Sequence, residues 1–187
     1  MTRSRYVAQA GVIAALYAAF TWLALQLPGM LGWGLIQFRV SEALTVLAVL
    51  TPAAVPGLTL GAVAANLTNL GQVGPLALLD VVFGSLATML GAMWTWRFRD
   101  RTALALAGPV VTNALIVPLY LPILVPAATG LYTIPLLGVD LRGHWWAVYL
   151  FGVLAIALGQ AVVVYGLGLP LLAALRRLGV DRMFAEG

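Results

Sequence analysis

The sequence predicts an all-α membrane protein of six transmembrane helices with both termini in the cytoplasm. Three observations predict it. The chain of 187 residues is 63% hydrophobic and 9% charged, with a mean hydropathy of +1.02, whereas a soluble domain carries about 25% charged residues. Its apolar residues fall into six runs separated by Gly, Pro and polar breaks. All ten basic residues are arginines, and eight of them flank those runs in three clusters, at Arg3 and Arg5, at Arg97, Arg99 and Arg101, and at Arg176, Arg177 and Arg182. Six spans put all three clusters on one face, and the positive-inside rule makes that face cytoplasmic.

The six runs form a single integral membrane domain over residues 1–187. A span needs about 20 apolar residues, and shorter or broken helices survive where protein covers them. The first helix covers about 6–27 and ends at Pro28-Gly29. No small-residue cleavage site follows it, so it is expected to be retained rather than removed as a signal peptide. A short second helix at about 39–50 stops at Thr51-Pro52, and a third covers about 55–70. The Gly-rich stretch Gly71 to Pro75 reads as a loop before the fourth helix at about 76–96. The fifth, at about 103–125, carries Pro109, Pro118 and Pro122, and a long loop from Pro126 to Gly143 leads to the sixth at about 145–175.

Between residues 6 and 96 the only charged side chains are Arg39, Glu42 and Asp80. Intramembrane charges are costly and generally face a protein interior or a watery cavity, where they mark a site. Arg39 and Glu42 are three residues apart, a spacing that puts them on one helix face. At about 1.5 Å rise per residue, Glu42, Asn66, Asn69, Asp80 and Tyr120 all fall about one turn below the outer end of their helices, with Asn113 nearer the middle. The loops above carry Trp33, Gln37, Tyr132 and Trp145. Such a polar cluster under aromatic loops is suited to capturing a small polar ligand from outside.

Each residue also has a plainer reading. Arg39 at a helix start can snorkel to the interface, the asparagines can tie helices together, and Asp80 can be a structural partner for Arg39. Trp145 reads as an interfacial anchor, and Gln160 as a packing hydrogen bond. His144 has no neighbouring ligands for a metal. Along the first helix Ala10, Ala14 and Ala18 recur every four residues, as do Gly11, Ala15 and Ala19. Small residues at this spacing let another helix come close, either within the bundle or from an external partner.

The absence of cysteine excludes disulfides, thiolate metal sites and cysteine nucleophiles. No G-x-x-x-x-G-K-[ST], G-x-S-x-G or H-E-x-x-H motif occurs, so the chain cannot hydrolyse ATP through a P-loop and carries no recognisable hydrolase centre. Concentrative uptake would then need a partner or a coupling ion.

Over nearly its whole length the chain resembles the substrate-binding S components of energy-coupling factor (ECF) transporters, and among them the QueT family proposed to take up queuosine precursors. The resemblance rests on Gln37-Phe38-Arg39-Val40-Ser41-Glu42-Ala43-Leu44-Thr45-Val46-Leu47, on Pro56-Gly57 with Gly61 and Ala65-Asn66-Leu67, on Leu79-Asp80 through Thr88, and on Asn113-Ala114-Leu115-Ile116-Val117. Ala48 stands where the family pattern leads one to expect proline. The resemblance implies an S-component-like bundle that binds its ligand near the outer face and topples to deliver it. It further implies that Ala10, Ala14 and Ala18 dock a coupling subunit. Two ATPase subunits would consume the ATP, with no cofactor on this chain.

The implied ligand is a 7-cyano- or 7-aminomethyl-7-deazaguanine. Its N1–H and exocyclic amine suit Glu42 or Asp80, its O6 suits Arg39, Asn66 or Asn113, and its ring suits stacking on Trp33 or Tyr132. Gln37, Asn69 and Tyr120 complete the candidate set. Three alternatives stand beside this reading. One is an S component for another vitamin or nucleobase, one a membrane enzyme using Glu42 and Asp80 as acid and base, and one an assembly protein with no ligand.

Overall fold

A computed structural model describes residues 2–26, 39–124, 133–134, 139–140 and 144–185. Their architecture is helical, apart from two residues at Thr133–Ile134 that pair antiparallel with Val139–Asp140 inside the expected long loop. The helices are α1 (Arg3–Gln26), α2 (Val40–Leu50), α3 (Ala54–Leu67), α4 (Gly74–Arg97), α5 (Thr102–Leu124), α6 (Trp145–Arg177) and the short α7 (Val180–Ala185). Four of them, α1, α4, α5 and α6, are long and apolar enough to cross a membrane, and α2 and α3 are shorter. This is an all-α membrane protein.

Among the described residues, four segments depart from regular α-helix. The first seven residues of α2, Val40–Val46, form a 3-10 helix, and π-helical turns occupy Asp80–Gly84 in α4 and Val162–Gly168 in α6. The stretch from Gly71 to Pro75, expected as a loop, is instead helical. A single turn at Leu70–Val73 runs into a 3-10 start of α4 at Gly74–Ala77. Gly74, at φ +69°, makes that junction possible, because glycine alone adopts a positive φ without steric cost.

The helices bury one face each and leave the other apolar. On α1, Ala10, Ile13, Tyr17, Thr21 and Ala24 are buried, while Val7, Val12, Leu16, Phe20 and Leu23 are exposed. On α6, Leu150, Leu154, Leu158 and Val162 form an exposed row at four-residue spacing. In water such rows would be a liability, whereas in a bilayer they are the lipid-facing surface. The core lies on two sides of α2. Leu44 and Leu47 pack with Ile13, Tyr17, Leu58 and Ala62, while Val46 and Val49 pack with Leu106, Val164 and Leu172.

The prolines of α5 leave the helix continuous. Pro109 has no N–H to give to the carbonyl four residues back, and the Thr95 hydroxyl lies 3.1 Å from that carbonyl, on Ala105. The same hydroxyl lies 2.9 Å from the Gly91 carbonyl of its own helix, so its single proton is shared between the two acceptors.

The contact of α1 with α3 is made at two glycines. A Cβ on Gly57 would stand 2.9 Å from the Ala10 carbonyl oxygen, and one on Gly61 2.8 Å from the Ala14 carbonyl oxygen and the Tyr17 Cβ. The Gly61→Ala change therefore forces α1 away from α3, at a cost of about 1–3 kcal/mol. Thermal unfolding of the detergent-solubilised protein should show a lower midpoint for Gly61→Ala, and an unchanged one for Gly71→Ala, where a Cβ meets nothing within 4 Å.

Candidate functional site

The polar residues gather at the end of the bundle where α1, α3 and α5 finish and α2, α4 and α6 begin. Arg39, just before the first turn of α2, reaches across to α3 and α4. Its Nη2 donates to Asn66 Oδ1 at 2.9 Å and pairs with Asp80 Oδ2 at 3.3 Å. Asp80 collects two further donors. Tyr120 of α5 donates to Oδ1 at 2.6 Å, and Asn69, in the turn after α3, donates to Oδ2 at 3.1 Å. Asn66 in turn donates through Nδ2 to the backbone carbonyl of Asp80 at 2.8 Å. Asp80, Asn66, Asn69 and Tyr120 are all buried, and Arg39 keeps 16% of its side chain exposed. A buried ion pair becomes tolerable when hydrogen bonds satisfy the lone pairs that the partner charge does not reach, which these three neighbours do.

Local backbone geometry makes room for the pair. Asp80 opens the π turn of α4, a widened form of helix that recurs at functional sites. Gly84 lies four residues on and has no side chain to fill the space. A Cβ there would be 2.5 Å from Asp80 Oδ1, 3.0 Å from the Tyr120 hydroxyl and 3.1 Å from Asn66 Nδ2.

Glu42 belongs to a second group, deeper along α4. It is fully buried. Its Oε1 accepts from the Tyr17 hydroxyl of α1 at 2.5 Å, and the Thr88 hydroxyl, which also lies 3.2 Å from the Gly84 carbonyl, approaches the same oxygen at 3.4 Å. Its Oε2 is buried and has no hydrogen-bond partner among the described residues, and the same holds for Asn69 Oδ1. Beside Glu42, the hydroxyls of Ser41 and Thr21 share a bond at 2.7 Å. Asp80, Gly84 and Thr88 lie at four-residue spacing on α4, so one helix face serves both acidic groups.

The residues singled out in the sequence are therefore distributed as follows. Arg39, Asn66, Asn69, Asp80 and Tyr120 come together in one network, and Glu42 sits next to it. Asn113 is buried on α5, where its Nδ2 donates to the Pro109 carbonyl of its own helix at 2.9 Å. Trp33, Gln37 and Tyr132 lie outside the described residues. Ala10 is buried against α3, and Ala14 and Ala18 are half-buried, whereas Gly11, Ala15 and Ala19 are exposed. Trp145 stacks on Tyr149 with ring centroids 5.5 Å apart at the same end of the bundle. Tyr17, Gly84 and Thr88 take part without having been among the candidate site residues, although Gly84 and Thr88 lie in the stretch from Leu79 to Thr88 that carries the resemblance. For Tyr17 a signal existed, because Tyr17 and Thr21 put two hydroxyls four residues apart in an apolar run.

Among the described residues no group of His, Cys, Asp or Glu could hold a metal ion. The described residues form a multi-pass membrane bundle with a buried polar cluster at one end. The chain belongs to the QueT transporter family, whose family model matches residues 7–177. This is a family of transporters and not of enzymes. No curated protein and no solved structure matches the chain.

Removing one member of the buried pair leaves the other charge uncompensated, which costs about 3–5 kcal/mol in buried settings. Because Arg39 stays 16% exposed, the lower end of that range is expected for Arg39→Met and for Asp80→Asn. Denaturation of the purified protein should also show the double variant losing less than the sum of the two single losses.

Proposed function

We propose that the chain is the substrate-binding S component of an ECF-type importer, and that it captures a queuosine precursor of the 7-deazaguanine class at the polar cluster. The observation that carries this reading is the Arg39–Asp80 network itself, in which donors and acceptors from four parts of the chain converge on one buried end of the bundle. A guanine-like edge offers N–H donors beside an acceptor oxygen. The cluster has both complements, with buried acceptors at Glu42 Oε2 and Asn69 Oδ1 that have no partner among the described residues and a partly exposed guanidinium at Arg39.

The arginine clusters lie at the opposite end of the bundle, at the start of α1, between α4 and α5 and at the end of α6. With that end cytoplasmic, both termini are inside and the polar cluster faces outward. The energy for uptake comes from a coupling subunit and two ATPase subunits supplied by other chains. Of the expected docking strip Ala10, Ala14 and Ala18 on α1, Ala10 is buried against α3, and the proposed surface is Ala14 and Ala18 with the adjoining exposed Gly11, Ala15 and Ala19.

Calorimetric titration of the detergent-purified protein tests the reading, with the cyano and aminomethyl 7-deazaguanines set against guanine, riboflavin and thiamine. The expected result is saturable binding of a deazaguanine, weakened tenfold or more in Gly84→Ala, whose added methyl displaces Asp80 and Tyr120. Binding of riboflavin or thiamine instead would retain the S component and replace its substrate. Silence with every ligand from folded protein would overturn the reading.

A further inference from the structure

The two buried acids are in opposite states of satisfaction. Asp80 has both oxygens engaged, Oδ1 by Tyr120 and Oδ2 by Arg39 and Asn69, and its charge is matched by Arg39. Glu42 receives both of its hydroxyl contacts on Oε1, leaving Oε2 buried without a donor among the described residues. No cation is bonded to Glu42 among those residues either, since the guanidinium of Arg39 is directed at Asn66 and Asp80. A buried acceptor left unmatched is expensive, and a buried unmatched charge more so. Among the described residues no donor reaches Oε2, and a ligand that brings one would fill that place.

The carboxylate is also held in place. Tyr17, fully buried on α1, donates to Oε1, and Thr88 on α4 flanks the same oxygen at 3.4 Å. With one oxygen pinned, the other has a fixed direction, as preorganised recognition requires.

We propose that Glu42, through Oε2, is the acid that contacts the ligand and accepts its most positive donor. Tyr17 is its positioning residue, and Asp80 is an internal counter-ion that does not touch the ligand. The proposal rests on the reading that a deazaguanine binds at this cluster. It adds a division of labour between the acids and a consequence for specificity. A ligand bearing a cationic amine supplies both the hydrogen bond and the charge that Glu42 lacks, so it binds more tightly than a neutral analogue of the same ring.

The aminomethyl and cyano 7-deazaguanines are the probes, because they share a ring and differ in carrying an ammonium or a neutral nitrile. Titrated into the wild-type protein, the aminomethyl form is expected to bind at least tenfold more tightly. In Glu42→Gln that ratio collapses toward one. In Tyr17→Phe it narrows, because the carboxylate is no longer pinned, whereas a purely structural loss would weaken both ligands alike. In Asp80→Asn both affinities fall together and the ratio survives. Equal wild-type affinities for the two forms would overturn the assignment while leaving the transport reading intact, and so would a ratio that collapses in Asp80→Asn but persists in Glu42→Gln. Failure of both deazaguanines to bind wild-type protein would overturn the two readings together. The wild-type ratio needs no variant to fold, and Tyr17→Phe keeps the acid should Glu42→Gln not be recovered.

Discussion

An ion pair in the apolar interior is the constraint around which the rest of this structure is arranged. Arg39 and Asp80 lie 41 residues apart in sequence and meet at 3.3 Å. Neither charge is tolerable at this depth without the other, so the helices that carry them have little freedom to slide. The neighbours follow from the pair. Asn66, Asn69 and Tyr120 supply the hydrogen bonds that the pair alone would leave unmade. Such an arrangement contributes less to net stability than to uniqueness, since an apolar replacement of similar shape often folds as well or better. What it fixes here is the register of α2, α3, α4 and α5 against one another. In a membrane, where apolar packing discriminates poorly between registers, a polar network is an effective means of choosing one.

Close packing brings the remaining elements to that network. α1 approaches α3 at Gly57 and Gly61, and this approach delivers the Tyr17 hydroxyl to Glu42. The tight 3-10 winding at the start of α2 buries every residue from Ser41 to Val46, Glu42 among them. Opposite it, α4 loosens into a π turn at Asp80, and α6 does so at Val162–Gly168. The narrow turn of α2 and the wide turn of α4 carry Glu42 and Asp80, whereas the wide turn of α6 packs on the apolar residues Val46 and Ala43.

The sequence made the helical membrane class legible because bilayer thickness imposes a length and composition that no soluble fold shares. The convergence of Asn66, Asp80 and Tyr120 was legible for a related reason, since in helices packed side by side, distance along the chain translates into depth. Rotation about the helix axis has no such readout. Asn113 matched the others in type but lay nearer the middle, and its amide turns back to Pro109. Tyr17 looked like one more aromatic in an apolar helix and proved to be the donor to Glu42. The small-residue strip on α1 could have faced either way, and the structure divides it, with Ala10 against α3 and Gly11, Ala15 and Ala19 outward. The helical turn at Leu70–Val73 was hidden by glycines that signal a loop.

The glycine at position 84 has a bearing on comparison between chains. Asp80, Tyr120 and Asn66 all crowd the space where its Cβ would be. An acid at position 80 is compatible with many environments, from a simple interhelical pair to a solvated pore lining. An acid followed four residues later by an obligatory void is compatible with few. In related chains, a side chain at the position of Gly84 would mean that Asp80 adopts another rotamer and that its link to Tyr120 is broken. The informative marker of this network in a sequence is thus an absent side chain: the glycine identifies the architecture, and the charged residues merely occupy it.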